Sequence, residues 1–450
     1  MTEALSIEPF ESECRGSVLV PGSKSISNRA LILSAMSGGE TTLKGILRSE
    51  DVNLMIEALV RLGVEMVESK DQTTLKIKGC EGFLPSKKQK IFVGNAGTIA
   101  RFLTALLAAQ SNGSYELDGT EAMRERPMRE LLSFLSDNGA SFEFKGKEGC
   151  FPFSMVTQGL NGDLRKIDAT QSSQVLSAIL MIAPLLERNL SLSFEGGTVS
   201  VPFVDITLSM MKDFSGSEDF SSSLTSSSAK VNCPGYRKDD FIFEVEPDAT
   251  AASYFLTLPL ATGGACFLEG IHSEMLLGDS AYAQVLQTIG LRIDEKNDGI
   301  LSKSVQPPAG GEFDFNDISD TFLSLAAVSP LLSSPLTISG IAHTRKQETD
   351  RVSAMATELT RLGQSVDESE DRLRITPNLN KLKSLAVDGV EIDTYKDHRF
   401  AMSFGVLGSC DLLGNGRSWM KINDPNCCAK TYPSYFDQLN DLRVFSHGQA

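Results

Sequence analysis

Two series of helix-like segments alternate along the chain. Segments of the first series, such as DVNLMIEALVRLG and DRVSAMATELTRLG, carry an apolar stripe on one side and end in a small residue. These ends recur at Gly63, Gly139, Gly216, Gly290, Gly363 and Asn440. Subtracting successive positions gives spacings of 73 to 77 residues. Because a one-sided helix covers a core and faces water, this series predicts six surface helices.

Segments of the second series lie between these helices, each at a similar position in its repeat, and are apolar on every side. Its members are SNRALILSAMSGG, GTIARFLTALLAAQ, SSQVLSAILMIAPLL, DATAASYFLTLPLATGG, DTFLSLAAVSPLL and HRFAMSFGVLGSC. A helix that is apolar all round is buried. The pattern therefore predicts six copies of a unit that contains one buried helix, one surface helix and several short strands.

Length and repeat together predict two domains of three units each. A chain of 450 residues is too long for one ordinary core, and six units divide naturally into two groups of three. The stretch SGSEDFSSSLTSSSAKVN, residues 215–232, lies just before the midpoint of the chain. Its composition predicts a Ser-rich surface loop.

Composition and charge exclude several classes of protein. With 41% hydrophobic and 22% charged residues the chain is an ordinary globular protein, and polar residues interrupt its apolar stretches before they reach the roughly 20 residues of a membrane helix. The acidic N-terminal segment resembles neither a secretory nor a mitochondrial signal, so we expect a cytoplasmic protein. A net charge of −16 argues against a nucleic-acid partner.

The cysteine and histidine content gives no metal signature. Eight cysteines lie at irregular spacings without a CxxC pair, and only four histidines could join them as ligands. The neighbouring Cys427 and Cys428 are expected to be packed thiols. We therefore expect no metal.

Basic residues beside helix starts predict a pocket for a small anion in this acidic chain. PGSKSISNRA, residues 21–30, opens the first buried helix, where backbone N–H groups and the helix dipole attract an anion and Lys24 and Arg29 add full charges. A plain capping turn with exposed Lys and Arg is the alternative.

The next two buried helices also begin with polar or small residues. These are Asn95, Gly97, Thr98, Ser172, Ser173 and Gln174. Three such helix starts suggest convergence on one polar ligand, and three independent helix caps are the alternative. Arg126, just before Pro127, adds a guanidinium group that suits phosphate or carboxylate, and Pro127 is expected to begin a surface helix.

The second half of the chain contributes acids and bases in the motifs RKQETDR, TYKDHRFAM and DPNCCAKTYP. The candidate residues there are Glu348, Arg351, Asp397, His398, Arg399 and Lys430. Histidine is well suited to proton transfer near neutral pH. Two alternatives stay open: acids at a helix start can serve only the helix dipole, and a His beside an Asp can be a structural pair.

Taken together, these motifs resemble the EPSP synthase (3-phosphoshikimate 1-carboxyvinyltransferase) family of enolpyruvyl transferases. Nine stretches match in family order, namely PGSKSISNRA, GNAGT, RERPM, SSQ, VPFVDITLSMM, EPDATAASYF, ETDR, TYKDHR and DPNCCAKTYP. The resemblance implies an α/β (α+β) fold of two domains, each built from three βαβαββ-type units, with a cleft that closes on substrate. It places residues 23–244 in the first domain and residues 1–22 with 245–450 in the second.

The resemblance also implies an activity. The enolpyruvyl group of phosphoenolpyruvate would pass to the 5-hydroxyl of shikimate 3-phosphate, releasing phosphate, in the shikimate pathway that leads to chorismate and the aromatic amino acids. The family is the target of glyphosate, and it implies a monomer that needs neither a metal nor an organic cofactor.

Site residues follow from the resemblance position by position. Those implied for shikimate 3-phosphate are Lys24, Ser25, Arg29, Ser172, Ser173, Gln174, Ser200, Asp320 and Gln347. Those implied for phosphoenolpyruvate are Lys24, Asn95, Gly97, Thr98, Arg126, Gln174, Arg351, Arg399 and Lys430. The implied catalytic residues are Lys24, Asp320, Glu348, Asp397 and His398. Lys24 or Glu348 would protonate C3 of phosphoenolpyruvate, and Asp320 or Glu348 would accept the proton of the hydroxyl.

Four residues depart from the usual family pattern. Gln347 stands where a lysine is common, His343 where an asparagine is, Phe203 where a tyrosine is, and Phe102 where a proline is frequent. A glutamine keeps a hydrogen bond but loses a charge, which Arg345 or Lys346 could replace.

Two rival functions use the same fold. UDP-N-acetylglucosamine enolpyruvyl transferases typically carry a reactive cysteine where this chain reads EAMRERP, and another acceptor is harder to exclude. A non-catalytic scaffold is the second rival, although Lys24, Asp320 and Glu348 are all present.

Overall fold

A computed structural model describes residues 4–161, 166–168, 172–186, 189–194, 201–305 and 307–449. Its α-helices are α1 (Lys24–Met36), α2 (Glu50–Arg61), α3 (Gly97–Ala108), α4 (Glu121–Glu125), α5 (Arg129–Asp137), α6 (Ser173–Met181), α7 (Ala183–Leu186), α8 (Pro202–Ser215), α9 (Ala249–Thr262), α10 (Tyr282–Ile289), α11 (Phe322–Val328), α12 (Arg351–Arg361), α13 (Leu379–Ala386), α14 (His398–Gly408) and α15 (Tyr435–Gly448).

Short strands lie between the helices. They are β1 (Leu5–Ile7), β2 (Ser17–Val18), β3 (Glu40–Lys44), β4 (Glu65–Glu68), β5 (Thr74–Lys78), β6 (Lys88–Phe92), β7 (Gly113–Asp118), β8 (Ser141–Phe144), β9 (Phe153–Thr157), β10 (Asn189–Ser193), β11 (Ser221–Leu224), β12 (Ser228–Asn232), β13 (Phe241–Glu244), β14 (Ala265–Glu269), β15 (Leu291–Lys296), β16 (Gly299–Ser304), β17 (Glu312–Asp314), β18 (Leu336–Ser339), β19 (Ser365–Glu368), β20 (Arg372–Thr376), β21 (Val390–Ile392) and β22 (Met420–Ile422).

The chain folds into two compact units. The first unit is Gly22–Glu246, and the second combines the described residues up to Pro21 with those from Pro247 onward. The sheets of the first unit have the strand orders β13-β3-β5-β4, β6-β7-β9-β8 and β10-β12-β11. Those of the second are β15-β16-β14-β2, β17-β18-β20-β19 and β1-β22-β21.

The four-stranded sheets share one pattern of strand directions. In each, one outer pair is parallel, as in β6–β7 and β17–β18, and the remaining pairs are antiparallel. The antiparallel sheet β10-β12-β11 adds a parallel bridge between Lys166 and Ser193. The repeat in the sequence is therefore a repeat of topology, and the prediction of a mixed α/β fold with buried helices is confirmed.

The buried series forms the centre of each unit. Every residue of α3 is buried, and α1 is buried from Ile26 to Met36. In the first unit α3 packs against both α1 and α6, and in the second α9, α11 and α14 pack on one another. Each buried Leu or Ile contributes roughly 1.5–3 kcal/mol through removal from water, so this packing holds the buried helices in place within each unit.

Polar caps set those helix starts. Ser23 Oγ accepts from the backbone N of Ile26 at the start of α1, and Asp397 Oδ1 accepts from that of Arg399 at the start of α14. Ser172 caps α6 in the same way, through the N–H of Gln174. Side-chain caps satisfy N–H groups that a helix leaves open at its first turn.

Three local predictions were wrong. The Ser-rich segment is largely exposed but contains the antiparallel hairpin β11–β12, in which Ala229 and Val231 are buried and alternate with more exposed residues. The last surface helix continues past Asn440 to Gly448. Pro127 precedes α5 by two residues, after the additional short helix α4.

No helix in the described part of the chain is long and apolar enough to cross a membrane.

Candidate active-site clusters

Arg29 lies in the buried first helix of the first unit, with 1% of its surface exposed. Its Nε donates to Thr207 Oγ1 at 2.8 Å, and its Nη groups donate to the backbone oxygens of Ser25 at 2.9 Å and Phe203 at 3.0 Å. The guanidinium lies 5.2 Å from the centroid of the Phe102 ring. Burial lowers the pKa of Arg29 to about 9. These contacts hold the Arg29 guanidinium in one orientation in the core of the unit.

Arg101 connects three of the predicted binding motifs. Its Nη1 donates to Gly97 O and to Gln174 Oε1, both at 3.1 Å, and its Nη2 donates to Pro127 O at 3.1 Å. Arg126 donates to Asn95 O at 3.1 Å beside it. Burial, and then the charge of Arg126, lower the pKa of Arg101 to about 9. Both guanidinium groups approach Gly97, since a Cβ added there would lie 2.7 Å from Arg126 Nη2 and 2.9 Å from Arg101 Nη1. Neighbouring cations of this kind can attract an anion.

Other predicted residues of the first unit lie at helix starts. Lys24 is the first residue of α1, and its Nζ is 3.4 Å from Asp51 Oδ2. Thr98 Oγ1 accepts from Asn28 Nδ2 at 3.4 Å. Ser173 is buried at the start of α6. Ser200 lies outside the described residues.

Arg351 is the centre of a cluster of charges in the second unit. Its Nε donates to Asp397 Oδ2 at 2.7 Å, its Nη1 to Asp320 Oδ1 at 3.0 Å, and its Nη2 to Glu348 Oε2 at 2.9 Å. Gln347 Oε1 also accepts from Nη1. Burial would lower the pKa of Arg351, but Asp397 and Glu348 raise it above the usual value. The guanidinium is thus fixed in place as a permanent cation.

Two further cations extend this cluster. Arg399 Nη2 donates to the second oxygen of Asp320 at 2.6 Å, and Lys430 Nζ donates to Glu348 Oε1 at 2.7 Å. Both Asp320 and Glu348 therefore bridge two cations. The structure brings together three cations and three carboxylates, all of them sequence-predicted. We call them the Arg351 cluster: Asp320, Glu348, Arg351, Asp397, Arg399 and Lys430.

His398 and Asp279 lie next to the Arg351 cluster. His398 Nδ1 is 3.6 Å from Asp397 Oδ1, and its ring is buried. Asp279 is 2% exposed and accepts a hydrogen bond from Thr250 Oγ1. Burial, and then the charge of Asp320, raise the pKa of Asp279 to about 7.

The departures from the family pattern have definite environments. Arg345 forms ion pairs with Asp350 at 2.9 Å and with Glu368 at 2.8 Å, so these carboxylates already balance its charge. Lys346 is exposed. His343 Nε2 lies 2.8 Å from Ser319 Oγ, and burial lowers the pKa of its imidazole.

Sequence reasoning missed some residues of these clusters. Arg101 was not among the predicted site residues, although an arginine inside the otherwise apolar segment GTIARFLTALLAAQ was a usable signal. Tyr254, whose hydroxyl lies 3.5 Å from Arg399 Nη1, and Asp279 had no comparable signal, because only the fold brings them near Asp320. Asp51 lies in the first turn of the capped helix α2, where an acidic residue suits the helix dipole, so its contact with Lys24 was not predicted.

The sequence of this chain is similar to those of known proteins. The model of the EPSP synthase (3-phosphoshikimate 1-carboxyvinyltransferase) family matches residues 10–439. The chain belongs to this family. A 3-phosphoshikimate 1-carboxyvinyltransferase of Opitutus terrae is 43% identical, with 98% of each chain covered. One of Nostoc punctiforme is 38% identical, with 97% of this chain and 98% of that protein covered.

Solved structures agree at the level of the fold. An EPSP synthase from Acinetobacter baumannii superposes with a TM-score of 0.78 at 22% identity, and 98% of each chain is covered. The enolpyruvyl transferase NikO from Streptomyces tendae gives a TM-score of 0.72 at 14% identity, covering 98% of this chain and 97% of that one. The EPSP synthase family therefore shares both sequence and fold with this chain.

Proposed function

We propose that this protein transfers the enolpyruvyl group of phosphoenolpyruvate to the 5-hydroxyl of shikimate 3-phosphate and releases phosphate, as a transferase of the shikimate pathway. The observation that carries the proposal is the Arg351 cluster, in which Asp320 and Glu348 each bridge two cations. A substrate carboxylate or phosphate can take over these cations, because guanidinium groups bind both anions through paired hydrogen bonds. The carboxylates they release are then next to the reacting atoms.

The chemistry explains why acids and cations are needed together. Protonation of C3 makes C2 of phosphoenolpyruvate electrophilic, and the acceptor hydroxyl then attacks C2 as it loses its proton. Elimination of phosphate from the tetrahedral adduct removes a proton from C3. Cations that hold the phosphate and carboxylate stabilise the charge that develops.

We assign the proton transfers to three residues. Lys24 and Glu348 are the candidate donors to C3, and Asp320 and Glu348 are the candidate acceptors of the hydroxyl proton. Glu348 contacts Lys430 and Arg351, so its carboxylate is held between two cations where the substrate anions are proposed to bind. Asp397 and His398 act beside them, with Asp397 holding Arg351.

The anion ligands are assigned unit by unit. In the first unit, the assignment gives shikimate 3-phosphate the residues Lys24, Ser25, Arg29, Ser172, Ser173, Gln174 and Ser200. It gives phosphoenolpyruvate Lys24, Asn95, Gly97, Thr98, Arg126 and Gln174. In the second unit, Asp320 and Gln347 are assigned to shikimate 3-phosphate, and Arg351, Arg399 and Lys430 to phosphoenolpyruvate. The buried, hydrogen-bonded Arg29 supports the assignment of shikimate 3-phosphate to the first unit. The neighbouring Arg101 and Arg126 support the assignment of phosphoenolpyruvate to the same unit.

A different acceptor is the second candidate function. Gln347 is bonded to Arg351, and Arg345 is bonded to Asp350 and Glu368, so neither supplies a free positive charge for the shikimate phosphate. An acceptor without that phosphate would suit this arrangement.

We also propose that the protein is cytoplasmic and monomeric. Size-exclusion chromatography with light scattering would test the monomeric state.

The experiment measures phosphate release by the purified protein with phosphoenolpyruvate and shikimate 3-phosphate, omitting each in turn. Release that needs both substrates, with the enolpyruvyl ether identified by mass, supports the proposed reaction. Release with shikimate or UDP-N-acetylglucosamine but not with shikimate 3-phosphate would establish the second candidate. Inactivity with every acceptor would point to a non-catalytic scaffold.

A further inference from the structure

Tyr395 and Lys396 adopt left-handed backbone conformations directly before Asp397. Their φ angles are 54° and 59°, and neither residue is a glycine. Side chains disfavour this region, so two successive residues hold it only when surrounding contacts fix them. The proton-transfer and anion-binding roles given to this segment do not use the Tyr395 side chain. Its hydroxyl therefore needs another explanation.

Glu358 binds that hydroxyl from the last turn of α12. Its side chain is fully buried, and Oε1 accepts from Tyr395 OH at 2.7 Å. The same carboxylate accepts two contacts from Arg361 Nη1, at 2.8 and 3.0 Å. A buried carboxylate needs such partners, and hydrogen bonds to a charged group are stronger than neutral ones.

Arg361 extends the contact toward the residues before Tyr395. Its Nη1 also lies 3.0 Å from Asp393 Oδ2, and its Nη2 donates to Glu391 O at 3.1 Å. At the other end of α12, Arg351 Nε holds Asp397 Oδ2 at 2.7 Å. The segment from 391 to 397 is thus attached to both ends of one helix, with the left-handed turn between the two attachments.

We propose that Tyr395 is a positioning residue, whose hydroxyl bond to Glu358 fixes the turn that places Asp397 on Arg351 and at the start of α14, where it caps the N–H of Arg399. The inference rests on the proposed function, since the turn would position a residue of the Arg351 cluster for that reaction. The Tyr395 ring also meets Phe400 edge-on at 5.4 Å between centroids. Phenylalanine keeps that ring contact and removes only the hydroxyl.

The test compares Tyr395→Phe with the parent protein in the two-substrate assay. We expect kcat to fall by about 10- to 100-fold, because small displacements of catalytic groups have effects of this size. Glu358→Gln retains an acceptor for the hydroxyl, so we expect its kcat to stay within about threefold of the parent value. Tyr236→Phe is the matched control, since this phenol also donates over 2.7 Å, to Met181 O in the first unit. It should leave kcat unchanged.

A double-mutant cycle separates positioning from general loss of structure. Glu358→Leu should lower kcat, and adding Tyr395→Phe to it should lower kcat no further, because both changes break one bond. Parental kcat in Tyr395→Phe would overturn the proposal. So would a second, multiplicative loss in the double variant, or a loss that matches the fraction of unfolded protein.

Amide hydrogen exchange keeps the inference testable if the parent protein does not catalyse the proposed reaction. Tyr395→Phe should speed exchange at residues 395–399 while exchange elsewhere in the second unit stays at parental rates. Unchanged exchange at 395–399 would overturn the positioning role. If the parent protein is inactive but Tyr395→Phe still speeds exchange at residues 395–399, the turn is held as inferred and only the proposed reaction is wrong.

Discussion

Arg351 Nε donates to Asp397 Oδ2 at 2.7 Å, and this ion pair is buried on both sides. Asp397 also caps α14 through the N–H of Arg399, so one carboxylate fixes a cation and the start of a buried helix. Removing it would leave a buried charge with fewer partners and a helix start without its cap. The Arg351 cluster and the stability of the second unit are therefore coupled.

Asp397→Ala should lower the free energy of unfolding by about 3 kcal/mol or more, because breaking one partner of a buried ion pair typically costs that much. Asp397→Asn keeps an oxygen for the cap and should cost less. Urea denaturation followed by circular dichroism measures both. The exposed pair Lys78–Glu65 provides the control, and Glu65→Ala should leave the midpoint unchanged. An equally small effect for Asp397→Ala would contradict this coupling.

Gly97→Ala should weaken phosphoenolpyruvate binding. A Cβ at this position would lie 2.7 Å from Arg126 Nη2 and 2.9 Å from Arg101 Nη1, so both cations must move. Loss of one charge-assisted hydrogen bond of about 1.5–3 kcal/mol corresponds to a roughly 10- to 100-fold rise in KM for phosphoenolpyruvate. Steady-state kinetics measure this rise. Gly448→Ala, whose Cβ would meet nothing within 4 Å, is the control. An unchanged KM would contradict the prediction that displacing these cations weakens phosphoenolpyruvate binding.

Phe102→Leu should raise KM for shikimate 3-phosphate more than KM for phosphoenolpyruvate. The ring supports the buried guanidinium of Arg29, and a desolvated cation–π contact is worth up to about 2 kcal/mol, or roughly 30-fold in affinity. Phe214→Leu, a buried Phe that packs on Phe241 and Phe243, controls for loss of core packing. Equal changes in both KM values would contradict a specific role for Phe102.

Asp279→Asn should change how stability depends on pH. The pKa of this buried carboxyl is raised from 3.8 to about 7, so the folded state binds its proton more tightly than the unfolded chain does. The resulting stabilisation is complete below about pH 3.8 and is lost as pH rises through about 7. The stability of Asp279→Asn relative to the parent protein should therefore rise over this interval. Urea unfolding at several pH values measures the difference, and a constant difference would contradict the assignment.

The sequence predicted most of the architecture because its two hydrophobic patterns have a simple physical cause. Helices apolar all round, such as α3 and α14, are buried, whereas striped ones such as α12 bury only one side. The hairpin at β11–β12 was missed since serines obscured a weak alternation. The domain boundaries after residues 22 and 244 stay a prediction.

The candidate site was predictable where charged residues occur in motifs. Glu348, Arg351 and Arg399 were identified in this way, and the structure brings them into one cluster. Asp279 and Tyr254 could not be identified, because their approach to Asp320 and Arg399 depends on contacts between distant segments.

The most direct test of the central claim is the mass of the product formed from phosphoenolpyruvate and shikimate 3-phosphate in D₂O. The account predicts an enolpyruvyl ether that carries solvent deuterium at its vinyl carbon, because C3 gains a proton before phosphate leaves and then loses one of three. Product without deuterium would contradict protonation at C3. Absence of the ether, despite release of phosphate, would contradict the proposed transfer itself.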